Sequence, residues 1–132
     1  MTCFWDSIIS KINKNDFHTF NLLSKPKPLD FCNLLIQQNT NTNNISWKTS
    51  INNEILSLTE KQKKENYEHI QSFQSNSIQN GYYCSTFDPF LFLIAELFHI
   101  SIINNFNQSI ISYLHTNPKY SIHLHNNTTH MK

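Results

Sequence analysis

The stretch from Asp88 to Ile100, Asp-Pro-Phe-Leu-Phe-Leu-Ile-Ala-Glu-Leu-Phe-His-Ile, restricts the fold of this chain more than any other segment. Asp88 carries the short acceptor side chain that caps a helix, and Pro89 has the fixed φ that suits a first turn. The helix they open is apolar nearly all the way round, so it must be covered on most of its surface. Its longest apolar run, Pro89 to Ile94, is far too short to span a bilayer, so the cover has to be protein. A chain of 132 residues has the length of one domain and hides roughly two-thirds of its unfolded surface on folding.

The flanking segments supply amphipathic partners. Phe4, Ile8 and Ile12 recur every four residues, with Trp5 and Ile9 beside them, which predicts a helix over Cys3 to Asn13. A second short helix follows Asn15 or Asp16, carries Phe17, Phe20 and Leu23, and is broken by Lys25 to Pro28. Pro28 then opens a third helix through Leu29, Cys32, Leu35 and Ile36. Gln37 to Asn44 reads as a surface loop, with Trp47 packing back on the core beyond it. Thr59 and Gln62 have the spacing of a capping box, with Leu58 as its hydrophobic staple. The helix they start carries Tyr67, Ile70 and Phe73 on one face and ends near Ser75. Asn80-Gly81 is a turn at the chain's one glycine.

After the apolar helix come three strand-like runs, Ile100 to Ile103, Ile110 to Leu114 and Tyr120 to His125, separated by turns at Asn104 to Gln108 and Thr116 to Lys119. Helices followed by strands predict an α+β fold. It is a single domain, 1–132, with a helical N-terminal part packed on a small antiparallel sheet formed by the C-terminal third.

Composition excludes some function classes. Net charge is +1, and the one dense basic run, Lys61 to Lys64, is interrupted by Gln62 and flanked by Glu60 and Glu65. That is a solvated helix face, not a nucleic-acid footprint. The chain has no Val, no Arg and abundant Asn, Ile and Lys, the mark of an AT-rich coding sequence. The three cysteines, Cys3, Cys32 and Cys84, are odd in number and no secretory signal precedes them. Free thiols, a reducing cytoplasmic location and no membrane association are therefore expected.

Cys3 stands at the start of a strongly amphipathic helix, where the partial positive charge of the helix end favours a thiolate. At the other end of the chain, Tyr120 to His130 reads as a strand, a turn and a histidine. A nucleophile and its base are recognised by geometry, not by nearness in sequence. Cys3-Phe4-Trp5-Asp6-Ser7-Ile8 resembles the nucleophile motif of the ovarian-tumour (OTU) family of papain-like cysteine proteases, and Ile122 to Met131 resembles that family's C-terminal ending. Gly81-Tyr82-Tyr83, Ser85, Asp88 and the helix bearing Glu96-Leu97 resemble its middle block. The resemblance is nearest to the short OTU-like proteins of large DNA viruses.

The resemblance implies a papain-like fold and a deubiquitinase that hydrolyses the bond after the C-terminal glycine of ubiquitin or a ubiquitin-like modifier. Cys3 is the implied nucleophile and His130 its base, in a monomer with no metal or other cofactor. The backbone N–H groups of Thr2 and Cys3 would hold the oxyanion. Two departures bear on activity. Only Met1 and Thr2 precede Cys3, where the family has Asp-Gly-Asn or similar. Two residues after His130, where many relatives have Asp or Asn, stands Lys132. Cys3 and His130 are expected to act as a simple dyad, the alternatives being that the α-carboxylate of Lys132 or the amide of Asn126 orients the imidazole. The alternative is a catalytically inactive OTU-like module that binds ubiquitin or a host protein. His123, His125 and His130 as metal ligands, and Cys84 as a fallback nucleophile, rank lower. Cys32 and Cys84 are expected to pack as small apolar groups.

Overall fold

The computed structural model describes residues 3–126. In chain order these form helices α1 (Cys3–Lys11), α2 (Lys14–Phe17) and α3 (Pro28–Gln37), then strands β1 (Ile45–Thr49) and β2 (Leu56–Ser57). Helices α4 (Glu60–Gln71) and α5 (Pro89–Phe98) follow, and strands β3 (Ser101–Phe106), β4 (Ser109–His115) and β5 (Ser121–Asn126) complete the order. The fold is α+β, as predicted.

Helix α5 runs through the middle with eight of its ten residues buried. The sheet covers one side, where Phe92 meets Tyr113 of β4 edge-on at 4.8 Å. The helices cover the other. Trp5 of α1 packs on Phe90 at 5.2 Å, Phe17 of α2 on Phe98 at 5.4 Å, and Phe31 of α3 on Phe98 at 6.0 Å. Phe73, just beyond α4, reaches Phe90 at 5.1 Å. Most of these rings meet edge to face, the arrangement their quadrupoles favour.

Asp88 caps α5 as expected: its Oδ1 accepts the Phe90 N–H at 2.9 Å, and Pro89 occupies the first turn. The helix stops at His99, whose φ of 55° lies in the left-handed region, and the Ile100 N–H closes back on the Ala95 carbonyl at 3.2 Å. The Thr59–Gln62 capping box is present in both directions, and Leu58 is buried beside it.

The sheet departs from expectation. It has five strands in the order β2-β1-β4-β3-β5, and two of them come from the middle of the chain. Ile45-Ser-Trp-Lys-Thr alternates with period two, which places Trp47 against Phe87 at 5.0 Å. Nor is the sheet wholly antiparallel. The β3–β4 hairpin is, but β5 pairs with β3 in parallel. The physical reason is occupancy. One edge of β4 is taken by β1 and the other by β3, so the returning chain crosses to the free edge of β3 and runs in its direction. Lys119 N–H to the His99 carbonyl (2.8 Å) and Ser101 N–H to the Tyr120 carbonyl (3.1 Å) fix that crossing.

Smaller corrections follow the same logic. β3 extends to Phe106, and only Asn107 and Gln108 form the turn, with φ of 49° and 72°. Positive φ at both central positions is the hairpin geometry that matches strand twist. The second helix is one α-turn and one 3-10 turn that ends at Asn21, and Leu23 is 88% exposed. On α4 the buried face carries Asn66 and Ile70 instead of Tyr67, which is 38% exposed, and the helix stops at Gln71. Among the described residues no helix is long and apolar enough to cross a membrane.

Removing the cap tests the central role of α5. Asp88→Ala forfeits about 1 kcal/mol of capping. It also strands the buried donors that share this carboxylate, at about 1–3 kcal/mol each. The expected loss is about 3 kcal/mol or more, read from urea unfolding, whereas Asp30→Ala on an accessible turn of α3 should change stability by less than about 0.5 kcal/mol.

Candidate functional site

Cys3 is the first residue of α1, and its side chain is exposed. The helix it opens is firmly seated. Phe4, Trp5, Ile8 and Ile9 are all buried, and Phe4 packs on Tyr82 at 4.6 Å. The far end of α1 is pinned to the start of β5: the Asn13 N–H donates to the Tyr120 hydroxyl at 2.9 Å, and that hydroxyl donates to Asp16 Oδ2 at 2.5 Å. Lys119 pairs with the same carboxylate.

Beneath the Cys3 end of α1 lies a continuous buried polar network. The Tyr82 hydroxyl donates to both oxygens of Asp88, at 3.1 and 2.9 Å, and the Ser85 N–H donates to Oδ2 at 2.9 Å. The Asp88 N–H in turn donates to the Tyr113 hydroxyl at 3.1 Å. Asn104 Nδ2 donates to the Cys84 sulfur at 3.7 Å, Asn126 hydrogen-bonds that sulfur too, and Asn126 Nδ2 donates to Asn104 Oδ1. The network therefore runs from the aromatic cover under α1 to Asn126, the last residue of β5. Burial, helped by the charge of Asp88, holds both tyrosines protonated well above their ordinary range.

The three thiols separate cleanly. Burial pushes the Cys32 thiol up to about 12. Burial first, then the Asp88 charge, raises the Cys84 thiol above its ordinary range, which disqualifies it as a fallback nucleophile. Both pack as small buried groups, as expected, though Cys84 also accepts hydrogen bonds. Cys3 is the exposed one.

Of the other residues singled out in the sequence, Asn126 is buried and engaged with Asn104 and Cys84. Thr2, His130 and Lys132 lie outside the described residues. His123 and His125 share the outward face of β5, and among the described residues no group of three His, Cys, Asp or Glu is placed to hold a metal ion.

Sequence reasoning missed Asn104, which it assigned to a turn. The available signal was the alternation Ile102, Asn104, Phe106, which puts Asn104 on the inner face.

A second buried cluster lies at the other end of α5. Glu96 accepts the Asn44 N–H and Nδ2, both at 2.9 Å, and so ties the loop before β1 to the helix. Its Oε2 is 4.0 Å from Nε2 of His115, whose Nδ1 accepts the Asn117 N–H at 2.9 Å. The His99 ring lies 5.0 Å from that of His115. Burial, then the neighbouring His99, lower the pKa of His115, against the opposing pull of Glu96.

No family model, curated protein or solved structure matches the chain.

The His115 environment makes stability pH-dependent. A histidine whose folded pKa is depressed takes up its proton more readily in the unfolded chain, so its contribution is present above the unfolded value of 6.5 and is lost as pH falls below it. The slope it adds is at most about 1.4 kcal/mol per pH unit. Urea unfolding on either side of pH 6.5 should show this decline, and His115→Gln should flatten it; an unchanged slope in the variant refutes the assignment.

Proposed function

We propose that this protein is a papain-like cysteine protease of the OTU type, a deubiquitinase that hydrolyses peptide or isopeptide bonds after the C-terminal glycine of ubiquitin or a related modifier. The observation that carries this reading is the placement of Cys3, the exposed thiol, at the tip of a helix held rigidly by its buried aromatic face. The linkage of that end of α1, through Tyr82, Asp88, Cys84 and Asn104, to the end of β5 supports it further. His130 follows Asn126 by four residues, a separation that spans up to about 14 Å of extended chain.

In this mechanism the imidazole of His130 takes the Cys3 proton. The thiolate adds to the glycine carbonyl carbon, and the resulting oxyanion is held by backbone N–H groups at the start of α1, those of Thr2 and Cys3. Collapse breaks the C–N bond, and the imidazolium proton leaves with the amine. Water, deprotonated by the same imidazole, then cleaves the thioester and restores the thiol. One N–H of the Asn126 amide is engaged with Asn104, and Asn126 is the proposed orienting group unless Cys3 and His130 act as a simple dyad. We place the enzyme in a reducing cytoplasm, acting as a monomer without metal or other cofactor.

The test uses ubiquitin carrying a thiol-reactive group at its C-terminus. An adduct is expected with the native protein, none with Cys3→Ala, and an adduct formed at least about 100-fold more slowly with His130→Ala. Retention of the adduct in Cys3→Ala refutes the nucleophile assignment. Ubiquitin binding without any adduct favours the inactive binding module instead.

A further inference from the structure

His115 stands last in β4, and its ring acts as a hydrogen-bond acceptor. The Asn117 N–H donates to its Nδ1 at 2.9 Å, so that nitrogen carries no proton. A neutral imidazole then has its hydrogen on Nε2. Nε2 is buried, makes no hydrogen bond, and lies 4.0 Å from Oε2 of Glu96. The two side chains are only 4% and 9% exposed.

A second proton can enter only at Nδ1, and it changes what the ring can do. An imidazolium has two donors and no acceptor. Its Nδ1–H then faces the Asn117 N–H, donor against donor, and the bond between them is lost. The new charge has the Glu96 carboxylate within reach through Nε2–H. Burial and then His99 oppose protonation, and Glu96 of α5 favours it. The other neighbours carry no charge: β3 supplies the Ser101 hydroxyl, which accepts the His115 N–H at 3.1 Å, and β1 supplies Ile45 in register. The ring thus has two alternative partners, one for each protonation state.

Asn117 lies in the turn that carries the chain from β4 to β5. In that turn the Lys119 N–H reaches the His99 carbonyl at 2.8 Å. Tyr120, next along, holds Asn13 and Asp16, and Lys119 pairs with Asp16, so the same turn secures α1.

We propose that His115 is a proton-operated latch on this turn: the neutral ring holds Asn117, and the imidazolium releases it and pairs with Glu96. Acid thereby loosens the turn and, through Lys119 and Tyr120, the seat of α1, as a local opening that precedes global unfolding. The device stands independently of any chemistry at Cys3.

Two-dimensional ¹H–¹⁵N NMR between about pH 8 and about pH 5 tests the latch. At the alkaline end, long-range correlations should show the His115 ring as the Nε2–H tautomer. On acidification the Asn117 amide signal should move with the midpoint of that ring, which lies below 6.5. Its protection from hydrogen exchange, corrected for the intrinsic rate, should fall at least about tenfold. His115→Asn keeps an acceptor for the N–H two residues on but cannot titrate, so Asn117 should stay protected throughout. Glu96→Gln should lower the midpoint of the ring, since the carboxylate favours the imidazolium. An Nδ1–H tautomer, an Asn117 signal that ignores the ring's titration, or a response that persists in His115→Asn overturns the latch. The first two of these need no variant and decide the matter even if His115→Asn fails to fold. An unchanged midpoint in Glu96→Gln overturns the pairing with Glu96.

Discussion

The fold depends on one carboxylate with no access to solvent. Asp88 ends an irregular loop and begins the helix around which everything else is wrapped, so the same two oxygens serve both. Burial raises its pKa, and hydrogen bonds from the Ser85 N–H, the Tyr82 hydroxyl, the Phe90 N–H and the Cys84 thiol act in the opposite direction. A buried charge is tolerated only when its acceptor capacity is met, and here the loop before the helix and the first turn of the helix meet it together. Tyr113 extends the arrangement to β4, since its hydroxyl accepts from the Asp88 N–H. Loop, central helix and sheet therefore meet at one residue.

That arrangement also accounts for the different fates of the cysteines. Cys84 sits inside the network, where its sulfur accepts from Asn104 and its ionisation is opposed by burial and by the neighbouring carboxylate. Cys32 faces the core from α3. Cys3 is placed outside by the phase of its helix: Phe4, Trp5 and Ile8 take the inward positions, and Cys3 falls on the remaining arc. Accessibility of this thiol is a by-product of the aromatic packing that fixes the helix.

Much of this was legible from local patterns. The cap and proline at Asp88-Pro89, the Thr59–Gln62 box and the stripe of α1 each depend on residues within a few positions of one another, and each is present as read. What was not legible depended on distant partners. The strand at Ile45–Thr49 is flanked by Asn-rich loops, and its pairing with β4 involves residues more than sixty positions away. The α4 face was misjudged by a single residue. Tyr67 and Asn66 are one position apart on a helix, and hydrophobicity favoured the tyrosine while the packing against α5 buried the asparagine. Asn104 was lost to its turn propensity, which tertiary pairing overrode. For the candidate site, the position of Cys3 was legible. The network beneath it was not, because its members are brought together from one loop and three strands.

The attachment of α1 to β5 has a consequence for biosynthesis. The Asn13–Tyr120 and Asp16–Tyr120 bonds join residues 107 and 104 positions apart. Helix α1 thus waits for β5, made about a hundred residues later, before its docking is complete, and the edge of β3 that receives β5 is open during the same interval. Contacts of such long range slow folding and prolong exposure of apolar surface. The docking of the helix that carries Cys3 is therefore complete only after β5 has been synthesised and paired.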